Sequence, residues 1–93
     1  MRIITFGTYD VFHIGHLNLL KRARAFGDEL YVGVSSDSFN KIKNKTSHHD
    51  ENIRMAMVDS IKYTSVSFFE NDWDQKEDDI ARFNIDIFVM GDD

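Results

Sequence analysis

The chain has 93 residues, enough for one small domain with a modest core. It holds no cysteine, which excludes a disulfide framework or a thiolate metal site and fits a cytoplasmic setting. A net charge of −5 argues against non-specific nucleic-acid binding, no apolar run approaches the ~20 residues of a membrane span, and the start of the chain turns polar too soon for a signal peptide.

Proline is absent, so Gly, Asn, Asp and Ser must set the ends of elements. Residues 3–6 read as a buried strand closed by Gly7. Ile14, Leu17, Leu20 and Ala23 recur at helical spacing and predict a helix over 14–26, with Lys21, Arg22 and Arg24 in its C-terminal half and Gly27 as a stop. Residues 29–34 predict a second strand, and 38–42 a short helix. Lys41, Lys43 and Lys45 then alternate in a basic loop. His48-His49-Asp50 reads as a polar helix entry. The helix that follows, 50–61, is expected to turn Ile53, Ala56, Met57, Ser60 and Ile61 inward. A short strand is predicted over 65–69. Asp74 and Glu77 have capping-box spacing and would open a helix running to about residue 83. Residues 85–90 predict the last strand. This alternation predicts an α/β fold, a Rossmann-like parallel sheet with helices on both faces. Ligands in such sheets sit at the carboxyl ends of the strands, where residues 7–16 and Gly91-Asp92-Asp93 would fall.

The segment between the first strand and the first helix carries the chemistry. A helix N-terminus offers unpaired N–H groups and attracts phosphate. His13 and His16, three apart, share one helical face, and Gly15 between them lets a phosphate chain come close. Two imidazoles there can donate hydrogen bonds as charge builds during phosphoryl transfer. Metal ligation by the pair is disfavoured because no third ligand follows at a suitable spacing, and no direct protein ligand to a metal is expected. Neither a P-loop nor a dinucleotide fingerprint is present.

Gly7-Thr8-Tyr9-Asp10 followed by His13-Ile14-Gly15-His16 resembles the signature of the His-x-Gly-His nucleotidyltransferases. Together with Ser36-Asp37-Ser38-Phe39-Asn40, the Lys43 and Lys45 loop, Arg54, Asn71-Asp72-Trp73-Asp74-Gln75-Lys76 and Met90-Gly91-Asp92-Asp93, it most resembles the bacterial glycerol-3-phosphate cytidylyltransferases. The resemblance implies transfer of CMP from CTP to glycerol 3-phosphate, giving CDP-glycerol for teichoic-acid-like polymers, by a homodimer using Mg²⁺. Close alternatives are another phosphorylated alcohol as acceptor, such as ethanolamine or choline phosphate, or a non-catalytic nucleotide-binding fragment. It also implies roles. His13, His16 and Lys43 would be catalytic. Thr8, Tyr9, His13, Ile14, Gly15, His16, Lys45 and Asp93 would bind CTP. Lys43, Lys76, Asp10, Arg54 and Trp73 would serve the acceptor. Family members continue past the position of Asp93 with another strand and an Arg-Thr-x-Gly-Ile-Ser-Thr-Thr motif opening a final helix, so residues 1–93 are expected to form a C-terminally truncated version of that domain. Lys62 and Ser65 stand where close relatives carry Arg and Asp.

Overall fold

A computed structural model describes residues 1–91. Eight elements follow in order: β1 (Arg2–Gly7), α1 (Ile14–Arg24), β2 (Glu29–Ser35), α2 (Asp37–Ile42), α3 (Glu51–Asp59), β3 (Val66–Glu70), α4 (Gln75–Arg82) and β4 (Ile87–Phe88). The four strands are parallel in the order β3-β2-β1-β4. Ile3 pairs with Leu30 and Ile87, and Val32 pairs with Ser67. The chain builds outward from β1 to β3, then returns to the other side of β1. The reversal lies between β1 and β4, and the crevice of such a sheet opens at the carboxyl ends of these two strands.

Alternation along the strands divides the core. Ile3, Leu30, Val32 and Val34 face one side, packed with Leu20 and Ala23 of α1 and Val58 of α3. Ile4, Phe6 and Tyr31 face the other, covered by Phe68, Ile80, Phe83 and Ile85. Helices therefore lie on both faces, as the alternating pattern predicted.

Three local expectations are corrected. The inward face of α3 is Arg54 and Val58, not Ile53, Ala56, Met57 and Ser60. Ile53 and Met57 are 48% and 43% exposed, because a buried arginine takes the position that hydrophobic periodicity would give to an aliphatic residue. Asp74 makes no side-chain cap at α4, so the predicted capping box does not form. Gln75 ties that turn down instead, accepting from the Asn71 amide at 2.7 Å and donating to the Phe69 carbonyl at 2.7 Å. The last strand pairs over Ile87–Phe88 rather than the whole of 85–90.

The two short helices after β2 are joined crosswise. The Asp37 amide donates to Glu51 Oε1 at 2.9 Å, and the Glu51 amide donates to Asp37 Oδ2 at 3.1 Å. Each carboxylate thus satisfies one N-terminal donor of the other helix.

Leu20 is fully buried between α1 and the sheet. Leu20→Ala is expected to lower unfolding free energy by about 3 kcal/mol in urea titration. Ile53→Ser, a core change by sequence periodicity but a surface change in the fold, is expected to move it by about 0.5 kcal/mol or less.

Candidate active site

Both histidines are set by the start of α1. His13 is the N-cap, and its Nδ1 accepts from the Gly15 amide at 3.0 Å. His16 Nδ1 accepts from the His13 amide at 3.2 Å. The two imidazoles thus form a reciprocal cap, a role usually filled by Ser or Thr with Glu. Their ring centroids lie 4.0 Å apart. With Nδ1 accepting, the neutral ring carries its proton on Nε2, so each ring presents an Nε2–H donor. Gly15 serves this arrangement directly: a Cβ there would lie 2.7 Å from His13 Cε1. The glycine makes room for the histidine ring, a closer constraint than the phosphate approach expected from sequence.

The turn before α1 is strained and doubly tied. Tyr9 and Val11 have φ of 55° and 47°. Such values are uncommon for any side chain and a true outlier for a β-branched one. Asp10, between them, accepts from the His48 amide at 2.7 Å and the His49 amide at 3.0 Å. Arg54 completes the clamp from beneath, its side chain wholly buried. Its Nε donates to the His49 carbonyl at 3.1 Å. Its Nη1 donates to the Thr8 carbonyl at 2.9 Å and the Ser35 carbonyl at 2.6 Å. Its Nη2 meets Asp37 Oδ1 at 2.7 Å. Burial alone would raise the Asp10 pKa, but the His48 and His49 amides hold it below the usual carboxylate value. Burial likewise acts upward on Asp37, and the Arg54 guanidinium and Glu51 amide bring it down.

These ties place the lysine loop against the histidine turn. A cleft of about 320 Å³ is lined by Phe6, Gly7, Thr8, Tyr9, Asp10, His16, Leu19, Lys45 and Thr46. A second, of about 340 Å³, is lined by Phe6, Lys43, Lys45, Glu70, Trp73, Lys76, Phe88, Met90 and Gly91. Phe6 and Lys45 border both. Although the chain carries net negative charge, three lysines therefore converge on the edge of the sheet where the strand order reverses.

The structure thus brings Thr8, Tyr9, Asp10, His16 and Lys45 to one cleft and Lys43, Lys45, Lys76 and Trp73 to its neighbour. His13 and Gly15 lie beside His16 along a groove that also includes Arg22. Ile14 is 68% exposed on the helix. Tyr9 borders the first cleft, yet its ring belongs to the core and is only 3% exposed. Asp10 lines the first cleft while both its carboxylate oxygens accept from backbone amides, and Arg54, which lines neither cleft, is held by three backbone carbonyls and the Asp37 carboxylate. Asp93 lies outside the described residues. Sequence reasoning missed Glu70 and Arg22. Arg22 had a signal, since 16, 19 and 22 share a helical face; Glu70, one acid at a strand end, had none.

Residues 4–93 match the cytidylyltransferase-like family. The chain belongs to this family of nucleotidyltransferases. It is 51% identical to a glycerol-3-phosphate cytidylyltransferase of Staphylococcus aureus over 99% of this chain and 70% of that protein. It is 45% identical to the Bacillus subtilis protein of the same name over 99% of this chain and 71% of that one. Within the family, it is therefore a member of the glycerol-3-phosphate cytidylyltransferases. A crystal structure of a lipopolysaccharide core biosynthesis protein from Thermoplasma volcanium superposes with a TM-score of 0.86 at 30% identity, covering 95% of this chain and 71% of that one.

Arg54→Met is expected to cost about 3 kcal/mol or more in urea unfolding, because it strands buried carbonyls and the Asp37 partner, and Arg54→Lys should recover little of this without the planar fork. Asp10 also makes stability pH-dependent. Its folded pKa lies below its unfolded value of about 3.9, so its contribution is full above that pH and is lost as pH falls through the folded value. Burial raises Asp79 and gives it the opposite sign, so the Asp10 contribution is read by difference. The urea midpoint of Asp10→Asn should fall less steeply than that of the unmutated protein as the solution is acidified below that pKa.

Proposed function

We infer that the protein transfers CMP from CTP to sn-glycerol 3-phosphate, releasing pyrophosphate and giving CDP-glycerol. The observation that carries this reading is the pair of adjoining clefts that share Lys45, one bordered by His16 and the other by Lys43 and Lys76. Two anions must be held side by side, and two contiguous clefts with lysines at their junction suit that task.

The step needs no general base. A phosphate monoester has a second pKa near ~6 and is largely dianionic at neutral pH. One of its oxygens attacks the α-phosphorus of CTP. The bond from that phosphorus to the bridging oxygen breaks, and pyrophosphate leaves with the electron pair. The protein's work is alignment of the reactants and stabilisation of the spreading charge. The first cleft holds CTP, with its phosphates toward Thr8, His16 and Lys45. The Nε2–H donors of His13 and His16 meet the phosphoryl oxygens as charge accumulates. Lys43 and Lys76 hold the acceptor phosphate in the second cleft. Asp10, at the wall of the first cleft, and Arg54 behind it keep the two loops in register.

Among the described residues, no three His, Cys, Asp or Glu side chains gather to hold a metal. Both oxygens of Asp10 accept from backbone amides. A Mg²⁺, which the family resemblance implies, would lessen the repulsion between the two anions. A homodimer in the cytoplasm is the assembly and setting that the resemblance implies.

Pyrophosphate release from CTP should depend on glycerol 3-phosphate. His16→Ala should lower kcat by about 10²–10³-fold, the scale for losing one donor to a developing oxyanion. Undiminished turnover in that variant would remove His16 from the mechanism. Lys45→Ala should raise KM for both substrates, because the residue borders both clefts, whereas Lys76→Ala should raise only that for glycerol 3-phosphate.

A further inference from the structure

The second cleft contains a cage for an ammonium group, and the chain fills it with its own lysine. Lys76 Nζ lies 4.7 Å from the centroid of Phe6, 5.8 Å from Trp73 and 5.9 Å from Phe39. Three aromatic faces within about 6 Å of one cation, closed by a carboxylate, are the means by which proteins bind choline-like ammonium groups. Here the carboxylate is Glu70, which is only 2% exposed and is ion-paired with Lys76. The walls are fixed. The Glu70 carbonyl accepts from the Ser36 amide at 2.9 Å. Gln75 binds the first turn of α4 back to the end of β3. Phe39 is fully buried and stacks edge-on against Trp73 at 4.9 Å.

We propose that Lys76 is a tethered occupant of this cage and thereby sets acceptor specificity. With its own ammonium in place, the cleft rejects a phosphorylated alcohol that carries a second cation, such as ethanolamine or choline phosphate. It accepts one that carries hydroxyls, and the remaining N–H bonds of Lys76 point their positive charge at its phosphate. Without Lys76, the rings of Phe6 and Trp73 and the Glu70 carboxylate keep a site of the opposite preference, while Lys43 Nζ stays over the Phe39 ring at 4.7 Å. The proposal rests on the reading that the second cleft takes the acceptor.

The experiment is a specificity switch. Turnover of CTP would be measured with glycerol 3-phosphate, ethanolamine phosphate and choline phosphate for the unmutated protein, Lys76→Ala and Lys76→Met. Lys76→Ala should lose tenfold or more in kcat/KM for glycerol 3-phosphate and gain about tenfold or more for choline phosphate, the scale of a desolvated cation–π contact. Adding Glu70→Gln should erase most of the gain. Trp73 is the only tryptophan in the chain, so its fluorescence offers a readout independent of turnover. Tetramethylammonium should perturb it in Lys76→Ala and leave the unmutated protein unchanged. Thermal melting and an unaltered KM for CTP show whether Lys76→Ala folds. If it does not, Lys76→Thr, which also shortens the side chain, decides by the same turnover and fluorescence measurements. Lys76→Met, which keeps bulk in the cage, should lose glycerol 3-phosphate without gaining choline phosphate. A loss for every acceptor with no tetramethylammonium response in the shortened variant overturns the cage. A failure of the unmutated protein to prefer glycerol 3-phosphate overturns the acceptor reading instead, whatever the variants do.

Discussion

One buried guanidinium governs the shape of the whole site edge. Arg54 has no exposed side-chain surface. Taking such a charge out of water costs several kcal/mol unless every donor is well placed. Arg54 meets this by spending its fork on four separate pieces of chain: the residue after β1, the last residue of β2, the loop before α3 and the first turn of α2. Three of its partners are backbone carbonyls left over where strands end and turns begin. Such groups must be paired when buried, and one planar cation pairs three of them at once. A lysine could not reach in so many directions.

That clamp explains how an unfavourable turn persists. Left-handed backbone at Tyr9 and Val11 costs on the order of 1–3 kcal/mol per residue and survives only where surroundings enforce it. Val11 is half exposed, so packing does not enforce it. Asp10 and Arg54 do, holding the turn to the lysine-bearing loop by backbone contacts from both sides. The turn in turn delivers His13 to the start of α1, where the two imidazoles cap the helix and the Gly15 and His13 amides, each donating to an Nδ1, leave Nε2 as the donor of each neutral ring. Stability and chemistry meet in the same few hydrogen bonds.

Much of this was legible in the sequence, and the rest has a physical reason for being hidden. The strands and α1 announced themselves by periodicity, and Gly15 with its flanking histidines by motif. The face of α3 did not, because the hydrophobic pattern cannot anticipate a buried arginine at an inward position. Asp10 and Arg54 were recognised as site residues, but not for their hold on the chain itself. A side chain that binds backbone leaves no partner residue to read, since every residue has an amide and a carbonyl. The α4 capping box failed because the Asp74 backbone is already helical, at φ −83° and ψ −14°, instead of the extended conformation from which a cap side chain turns back to the helix. Glu70 was silent because its meaning depends on three rings, from β1, α2 and the segment before α4, that only the fold assembles.

The crosswise bond between Asp37 and Glu51 has a mechanical consequence. Two helix N-termini that face one another would push apart, each bearing partial positive charge. The exchanged carboxylates turn that repulsion into a hinge pin, and Arg54 of α3, held on Asp37 of α2, locks it. The short helix that ends beside Lys43 and the helix that carries Arg54 then move as one rigid piece. The loop between them, with Lys45, is held at both ends rather than one. Its conformational freedom is largely given up when the chain folds, so a nucleotide arriving later meets a lysine already confined and loses less entropy in ordering it.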